Sequence, residues 1–166
     1  MKKININILT ISLSLLVALM ILTVSCDPGR QYEKREKSQI QDYLANNPSL
    51  SFVRQTSGLY YFEVTAGTGS TPVLGDSAWV LYRASFLNGT VFDSTSVTTG
   101  PYAFIVGTSI SGFDQGVMMM NAGGQSKLLV PSSLAYGASG NYRGIPGYTP
   151  LLFDIILLRV KPNVVK

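Results

Sequence analysis

The sequence predicts an α+β fold in which an antiparallel β-sheet curls around one short α-helix, preceded by a separate N-terminal helix. Three observations carry this. From Ser57 onward the apolar residues recur with the period of strands, in runs rich in Val, Ile, Tyr, Phe and Thr. Asn88-Gly89 lies between two such runs, the strongest short signal for a hairpin. Only one segment of the region, opening at Ser111, has helical spacing, and many strands with a single helix make a small α+β domain.

Composition narrows the function. The 166 residues include 13 Lys and Arg against 9 Asp and Glu, one Cys and no His. Without His there is no Ser-His or Cys-His hydrolase and no His-ligated zinc; one Cys cannot close an intrachain disulfide or build a thiolate cluster. The positive balance lies outside the strand-rich region. Between Ser57 and Val160 four basic residues (Arg83, Lys127, Arg143, Arg159) stand against five acidic ones (Glu63, Asp76, Asp93, Asp114, Asp154), which argues against a nucleic-acid partner.

Residues 1–25 read as a secretory signal, with Lys2 and Lys3 ahead of the apolar run Ile4 to Val24 and the small Ser25 before Cys26. The end, Leu22-Thr23-Val24-Ser25-Cys26, resembles a bacterial lipoprotein signal, and that resemblance implies cleavage before Cys26 and lipid on its sulfur. The alternative is an uncleaved transmembrane anchor, since Ile4 to Val24 is long enough to cross a bilayer. Both place the rest of the chain outside the cytoplasm. The expected location is therefore the cell envelope, tethered to a membrane.

Residues 26–56 are expected to form a polar linker with a short helix. Ile40 and Leu44, with Tyr43 beside them, mark its apolar stripe, and Asn46-Asn47-Pro48 its end. The stripe is too short for a coiled-coil seam, so a spacer in a monomeric protein is expected.

The domain proper is expected over 57–161, with a tail at 162–166. Leu59 to Thr65 reads as a strand with Tyr60, Phe62 and Val64 on one face. Ser77 to Leu87 runs through the Asn-Gly turn into Thr90 to Ser94, which brings the Tyr82 phenol within reach of Asp93. Tyr102 to Val106 is a further strand. Ser111 and Asp114 approximate a capping box; Phe113, Val117 and Met120 give the helix its apolar face, and Gly123-Gly124 ends it. Gln125 to Val130 and Leu151 to Val160 complete the sheet, the last apolar on both faces and therefore central.

Six blocks then stand in order: Val80-Leu81-Tyr82, Gly89-Thr90-Val91-Phe92-Asp93-Ser94, Pro101-Tyr102-Ala103-Phe104, Gly112-Phe113-Asp114-Gln115-Gly116-Val117, Ala135-Tyr136-Gly137 and Leu151-Leu152-Phe153-Asp154-Ile155. Together they resemble the FKBP-type peptidyl-prolyl isomerases. The resemblance implies a sheet of five or six antiparallel strands curled around the helix, and proline-containing polypeptides as clients, handled without metal or cofactor. It implies a proline pocket in which Phe92, Phe113 and Phe153 grip the ring, with Tyr102 and Ile145 also lining it. Tyr136 would donate its hydroxyl to a substrate carbonyl, Ile110 its backbone N–H, and Asp93 would orient Tyr82. Tacrolimus-like or rapamycin-like macrolides are implied as ligands too.

Three positions depart from the family pattern. Phe113 stands where Trp is common, the loop from Gly107 to Gly112 is about two residues short, and Gly144 replaces an apolar residue beside Ile145. The first two favour the rival reading, a proline-segment binding module or holdase with weak turnover. Between Tyr136 and Ile145 there is no inserted chaperone flap, which leaves Tyr142 and Tyr148 as rim aromatics.

Overall fold

The computed structural model describes residues 28–95, 98 and 100–163; the signal segment, Cys26 and the last three residues lie outside them. The described residues from Tyr32 to Asn163 form one compact unit. Residues 28–31, the described part of the first unit, are helical. Among the described residues no helix is long and apolar enough to cross a membrane.

Helix α1 spans Pro28–Asn46. Proline suits a first helical position, where its missing N–H would be unpaired anyway. The helix ends where the sequence predicts: Asn47 donates its side-chain amide to the Tyr43 carbonyl at 2.8 Å, and Pro48 follows.

The strands are β1 (Val53–Arg54), β2 (Tyr60–Thr65), β3 (Ser77–Phe86), β4 (Val91–Ser94), β5 (Tyr102–Ile105), β6 (Gln125–Val130) and β7 (Leu151–Lys161). All pairings are antiparallel, in the order β1-β2-β6-β7-β3-β4, with β5 also on β3. The ten-residue β3 serves two partners on one edge. Its first half pairs with β5 (Val80 opposite Tyr102) and its second with β4 (Ala84 opposite Asp93), so side chains from both short strands converge near Tyr82.

Helix α2 (Ser111–Val117) lies on the inner face, where Phe113, Val117 and the following Met120 pack with Val80, Leu128, Phe153 and Ile155. It approaches closely because it turns two glycines toward β6. A methyl on Gly112 would collide with Val130, and one on Gly116 with Leu128. The Gly-Phe-Asp-Gln-Gly spacing is thus a packing requirement, since residues four apart share a helix face.

The outer face carries a second cluster, in which Ile40 of α1 is buried with Leu129 and Leu152 and flanked by Tyr43, Leu44, Phe52, Tyr60 and Leu87. This explains why β7 is apolar on both faces: Phe153, Ile155 and Leu157 meet the core, while Leu152 meets α1.

Four local expectations are corrected. The helix read as a spacer is docked on the domain, Ile40 against the sheet and Glu36 against Ser132 in the turn after β6, both under 9% exposed. Most helical stability in proteins comes from packing an apolar face rather than from propensity, and burying one Ile contributes about 1.5–3 kcal/mol. The sheet begins before Ser57, because Val53 and Arg54 pair with Tyr61 and Tyr60. Helix α2 stops at Val117, short of Gly123-Gly124, and the chain continues in turns from Met118. The hairpin places only Gly89 at positive φ (87°), with Gly89 N–H on the Phe86 carbonyl and Phe86 N–H on that of Thr90. That is the longer hairpin loop closed by a left-handed glycine, rather than the two-residue turn that needs positive φ at both positions.

Candidate proline-binding site

A cavity of about 150 Å³ opens on the inner side of the sheet and is lined by Tyr82, Phe92, Asp93, Tyr102, Ser109, Ile110, Phe113, Tyr136 and Phe153. Each arrives from a different local cause. Tyr82 is inward-facing on β3 and is fixed on both sides of its peptide: its N–H donates to Thr95 Oγ1 at 2.8 Å, and its carbonyl accepts from Thr95 N–H at 2.9 Å. Asp93 comes across the hairpin, and the Tyr82 hydroxyl donates to its Oδ2 at 2.6 Å, the contact that the turn predicts.

Phe113 forms the floor. It is 3% exposed and meets three rings edge-on, Tyr82 at 5.8 Å, Phe104 at 5.4 Å and Phe153 at 5.4 Å between centroids. Such tilted pairs place ring edges against π-faces and are favourable beyond the area they bury. A Phe at the position where Trp is common therefore closes the floor through its neighbours. Tyr102 completes the wall, edge-on to Tyr82 at 5.8 Å and stacked on Phe104 at 5.3 Å. Phe92 sits beyond, against Phe86.

The short loop before α2 is tied down by Asp114. No side chain caps α2 at its N-cap, Ile110, so the expected Ser111–Asp114 box is not formed. Asp114 instead reaches back and accepts the Ser109 N–H at Oδ2, 3.0 Å. Ser109 and Ile110 are thereby held in the wall of the cavity. Ser109 was not legible as a site residue in the sequence; the acidic side chain one turn downstream is the only local signal for it. Among the described residues neither the Ile110 N–H nor the Tyr136 hydroxyl has a hydrogen-bond partner.

Of the residues expected to line the pocket, only Ile145 is placed elsewhere. It is 4% exposed, packs in the main core and is not among the lining residues. Its peptide is bound to Asn141: Asn141 N–H donates to its carbonyl at 2.8 Å, and its own N–H donates to Asn141 Oδ1 at 3.0 Å. Tyr142 on the same loop is fully exposed, whereas Tyr148 is half-buried against Tyr32. A larger groove of about 860 Å³ lies between the end of α1, the β3–β4 turn and Pro146–Pro150, and contains none of the expected site residues.

Burial, and next to it the Asp93 carboxylate that accepts its proton, push the Tyr82 phenol well above the usual tyrosine range. The site thus presents aromatic surface, one neutral phenol locked to a carboxylate, and two free donors at the rim. It suits binding and reshaping an uncharged segment better than proton transfer.

Comparison with known proteins identifies the family. Residues 68–158, more than half of the chain, match the model of the FKBP-type peptidyl-prolyl cis-trans isomerase family. The chain is 37% identical over 107 residues to FkpA of Escherichia coli K12, covering 64% of this chain and 39% of that protein. It is 33% identical over 131 residues to the macrophage infectivity potentiator of Trypanosoma cruzi, covering 78% and 66%. With the FK506-binding protein 4 of Dictyostelium discoideum it shares 39% over 113 residues, 67% of this chain and 30% of that one. The chain thus spans less than half the length of two of these relatives and about two thirds of the third. Among solved structures, E. coli FkpA superimposes with a TM-score of 0.73 at 28% identity, covering 94% of this chain and 73% of that one. A peptidyl-prolyl cis-trans isomerase from Pseudomonas syringae gives 0.71 at 28%, covering 83% and 99%. The chain belongs to the FKBP-type peptidyl-prolyl cis-trans isomerase family.

Proposed function

We propose that the protein accelerates cis-trans exchange at Xaa-Pro bonds in exported or envelope polypeptides. The observation that supports this most directly is the aromatic cavity itself, walled by Tyr82, Tyr102, Phe113 and Phe153, with the Ile110 N–H and the Tyr136 hydroxyl unpaired.

Rotation about a peptide bond faces a barrier of ~18–20 kcal/mol, and Xaa-Pro is the bond whose cis form is low enough in energy to matter. No bond breaks, so the protein need only bind the twisted amide better than either planar form. Each ~1.4 kcal/mol of such preference gives about tenfold in rate. The twisted amide has lost resonance and is less dipolar, so an aromatic wall that displaces water from the amide favours it over the planar ground states. Phe92, Phe113 and Phe153 hold the proline ring, Tyr136 and Ile110 donate to flanking carbonyls, and Asp93 keeps the Tyr82 phenol turned to one side. Ile145 supports the loop from the core.

In this reading Cys26 carries lipid after removal of residues 1–25, and the domain works at a membrane surface outside the cytoplasm. The test is the exchange rate of an Xaa-Pro peptide measured by NMR with the full chain in detergent, beside the Asp93→Ala variant. Acceleration that drops in the variant is the expected result. Peptide binding without faster exchange would overturn the isomerase reading in favour of a proline-binding module.

A further inference from the structure

Helix α1 does more than cover apolar surface. Along one face of it the half-exposed Tyr32 and the buried Glu36 and Ile40 recur at four-residue spacing, and a buried carboxylate next to Ile40 is out of place unless something receives it. Glu36 is 8% exposed and Ser132, 96 positions away, is 4% exposed. Ser132 donates twice to it, N–H to Oε1 at 2.5 Å and Oγ–H to Oε2 at 2.7 Å.

Ser132 is the first residue of the 3₁₀ turn Ser132–Leu134 that leads into Tyr136. Its carbonyl accepts the N–H groups of both Ala135 (2.9 Å) and Gly137 (2.8 Å), the two residues flanking Tyr136. The same helix grips the far side of this segment. Tyr32 stacks on Tyr148 at 5.5 Å and 12°, and Tyr148 N–H donates to the Gly137 carbonyl at 2.9 Å. Tyr148 is held there at φ 55°, a backbone region that side chains other than glycine rarely adopt. Two adjacent turns of α1 therefore fasten the loop before and after Tyr136.

We propose that Glu36 is a positioning residue for Tyr136, acting through Ser132, so that α1 sets the place of the hydroxyl at the pocket. This deepens the isomerase reading and rests on it for the role of that hydroxyl. A carboxylate supplies two acceptors in fixed geometry to a serine that offers two donors, and charge-assisted bonds of this kind are stronger than neutral ones and, made in pairs, fix geometry. Displacing a group that contacts substrate by about 1 Å can cost up to ~100-fold in rate.

The experiment uses the full chain in detergent, as wild type, Glu36→Ala, Glu36→Gln, Tyr136→Phe and the double variant Glu36→Ala/Tyr136→Phe. Each is measured well below its Tm by peptide-exchange NMR and by the tyrosine ring resonances. Glu36→Ala should lower kcat/KM about tenfold or more. Glu36→Gln, which keeps one acceptor for the Ser132 N–H, should recover part of it. In the Tyr136→Phe background Glu36→Ala should cost little further, because the hydroxyl it positions is gone. A loss of equal factor in both backgrounds, or a lower Tm with unchanged kcat/KM, would overturn the proposal. Should the wild type not accelerate exchange, the isomerase reading fails separately. The Tyr136 ring resonance, identified by its loss in Tyr136→Phe, then decides the clamp: it shifts in Glu36→Ala if Glu36 holds the turn, and stays in place if not.

Discussion

The Tyr82 hydroxyl donates to Asp93 Oδ2 at 2.6 Å across the β3–β4 hairpin, tying the two strands together at the wall of the aromatic cavity. Burial and that carboxylate both favour the neutral phenol. The folded-state pKa of Tyr82 is raised above its unfolded value of about 10, so the stabilising contribution is complete below about pH 10 and is lost as pH rises through the folded value. With no His in the chain, the exchange rate should be flat between about pH 6 and 9. A bell-shaped profile in that range, measured by peptide-exchange NMR, would contradict the assignment of Tyr82 as a fixed neutral donor.

Asp93 is exposed, so Asp93→Ala should leave the fold intact while freeing the Tyr82 phenol. The expected result is a fall in kcat/KM of about tenfold, equivalent to ~1.4 kcal/mol, with Tm moved by only a few degrees. Thermal denaturation beside the exchange assay separates the two effects.

Phe153 behaves differently, since it lies in the central strand at 6% exposure and packs edge-on to Phe113. Phe153→Ala should cost about 3–5 kcal/mol through the cavity it leaves, a large share of a typical domain's stability. Phe153→Leu keeps most of the volume and loses the ring pair. It should lower the exchange rate with a smaller stability loss, and chemical denaturation with the exchange assay on both variants checks that order.

Gly112→Ala sets two effects against each other. Helix propensity favours Ala over Gly by ~1 kcal/mol, whereas the added methyl would collide with Val130 and crowd Leu134. Overpacking typically costs about 1–3 kcal/mol, and here backbone as well as side chain must shift. Net destabilisation is expected in urea unfolding; a more stable variant would show that α2 is not seated on β6 as described.

Asp114→Ala should release the Ser109 N–H and loosen the wall that Ser109 and Ile110 form. Because Ser109 is only partly buried, leaving its N–H unpaired costs at most about 1–3 kcal/mol. Weaker peptide binding in titration is expected, with Asp114→Asn milder because its amide oxygen can still accept. Equal affinity in wild type and Asp114→Ala would remove this loop from the binding site.

Much of this was legible in the sequence. Alternation along Ser77 to Phe86 and Val91 to Ser94, with Asn-Gly between, already brought Tyr82 and Asp93 within reach of each other, although the loop is longer than a two-residue turn and a bulge between Ala84 and Ser85 shifts the register. The apolar character of both faces of β7 likewise implied a central strand. Harder to read were residues whose role depends on a partner distant in the chain. Ile145 sits beside the pocket in sequence order, yet its burial is decided by how the loop folds on Asn141. Asp114 looks like a helix cap, and only the path of the preceding loop shows that it holds Ser109 instead.

The sequence by itself determined the types and order of the elements from Tyr60 onward, because periodicity and turn chemistry act over a few residues, and its resemblance to a family pointed to the aromatic residues that wall the cavity. Only the tertiary structure decided that α1 is docked rather than free, that Glu36 meets Ser132 across 96 positions, and that Gly112 and Gly116 face β6. Those outcomes depend on the fit of surfaces built from separate segments, where one buried carboxylate or one absent methyl group sets which contact forms, and no window of sequence contains both sides of such a contact.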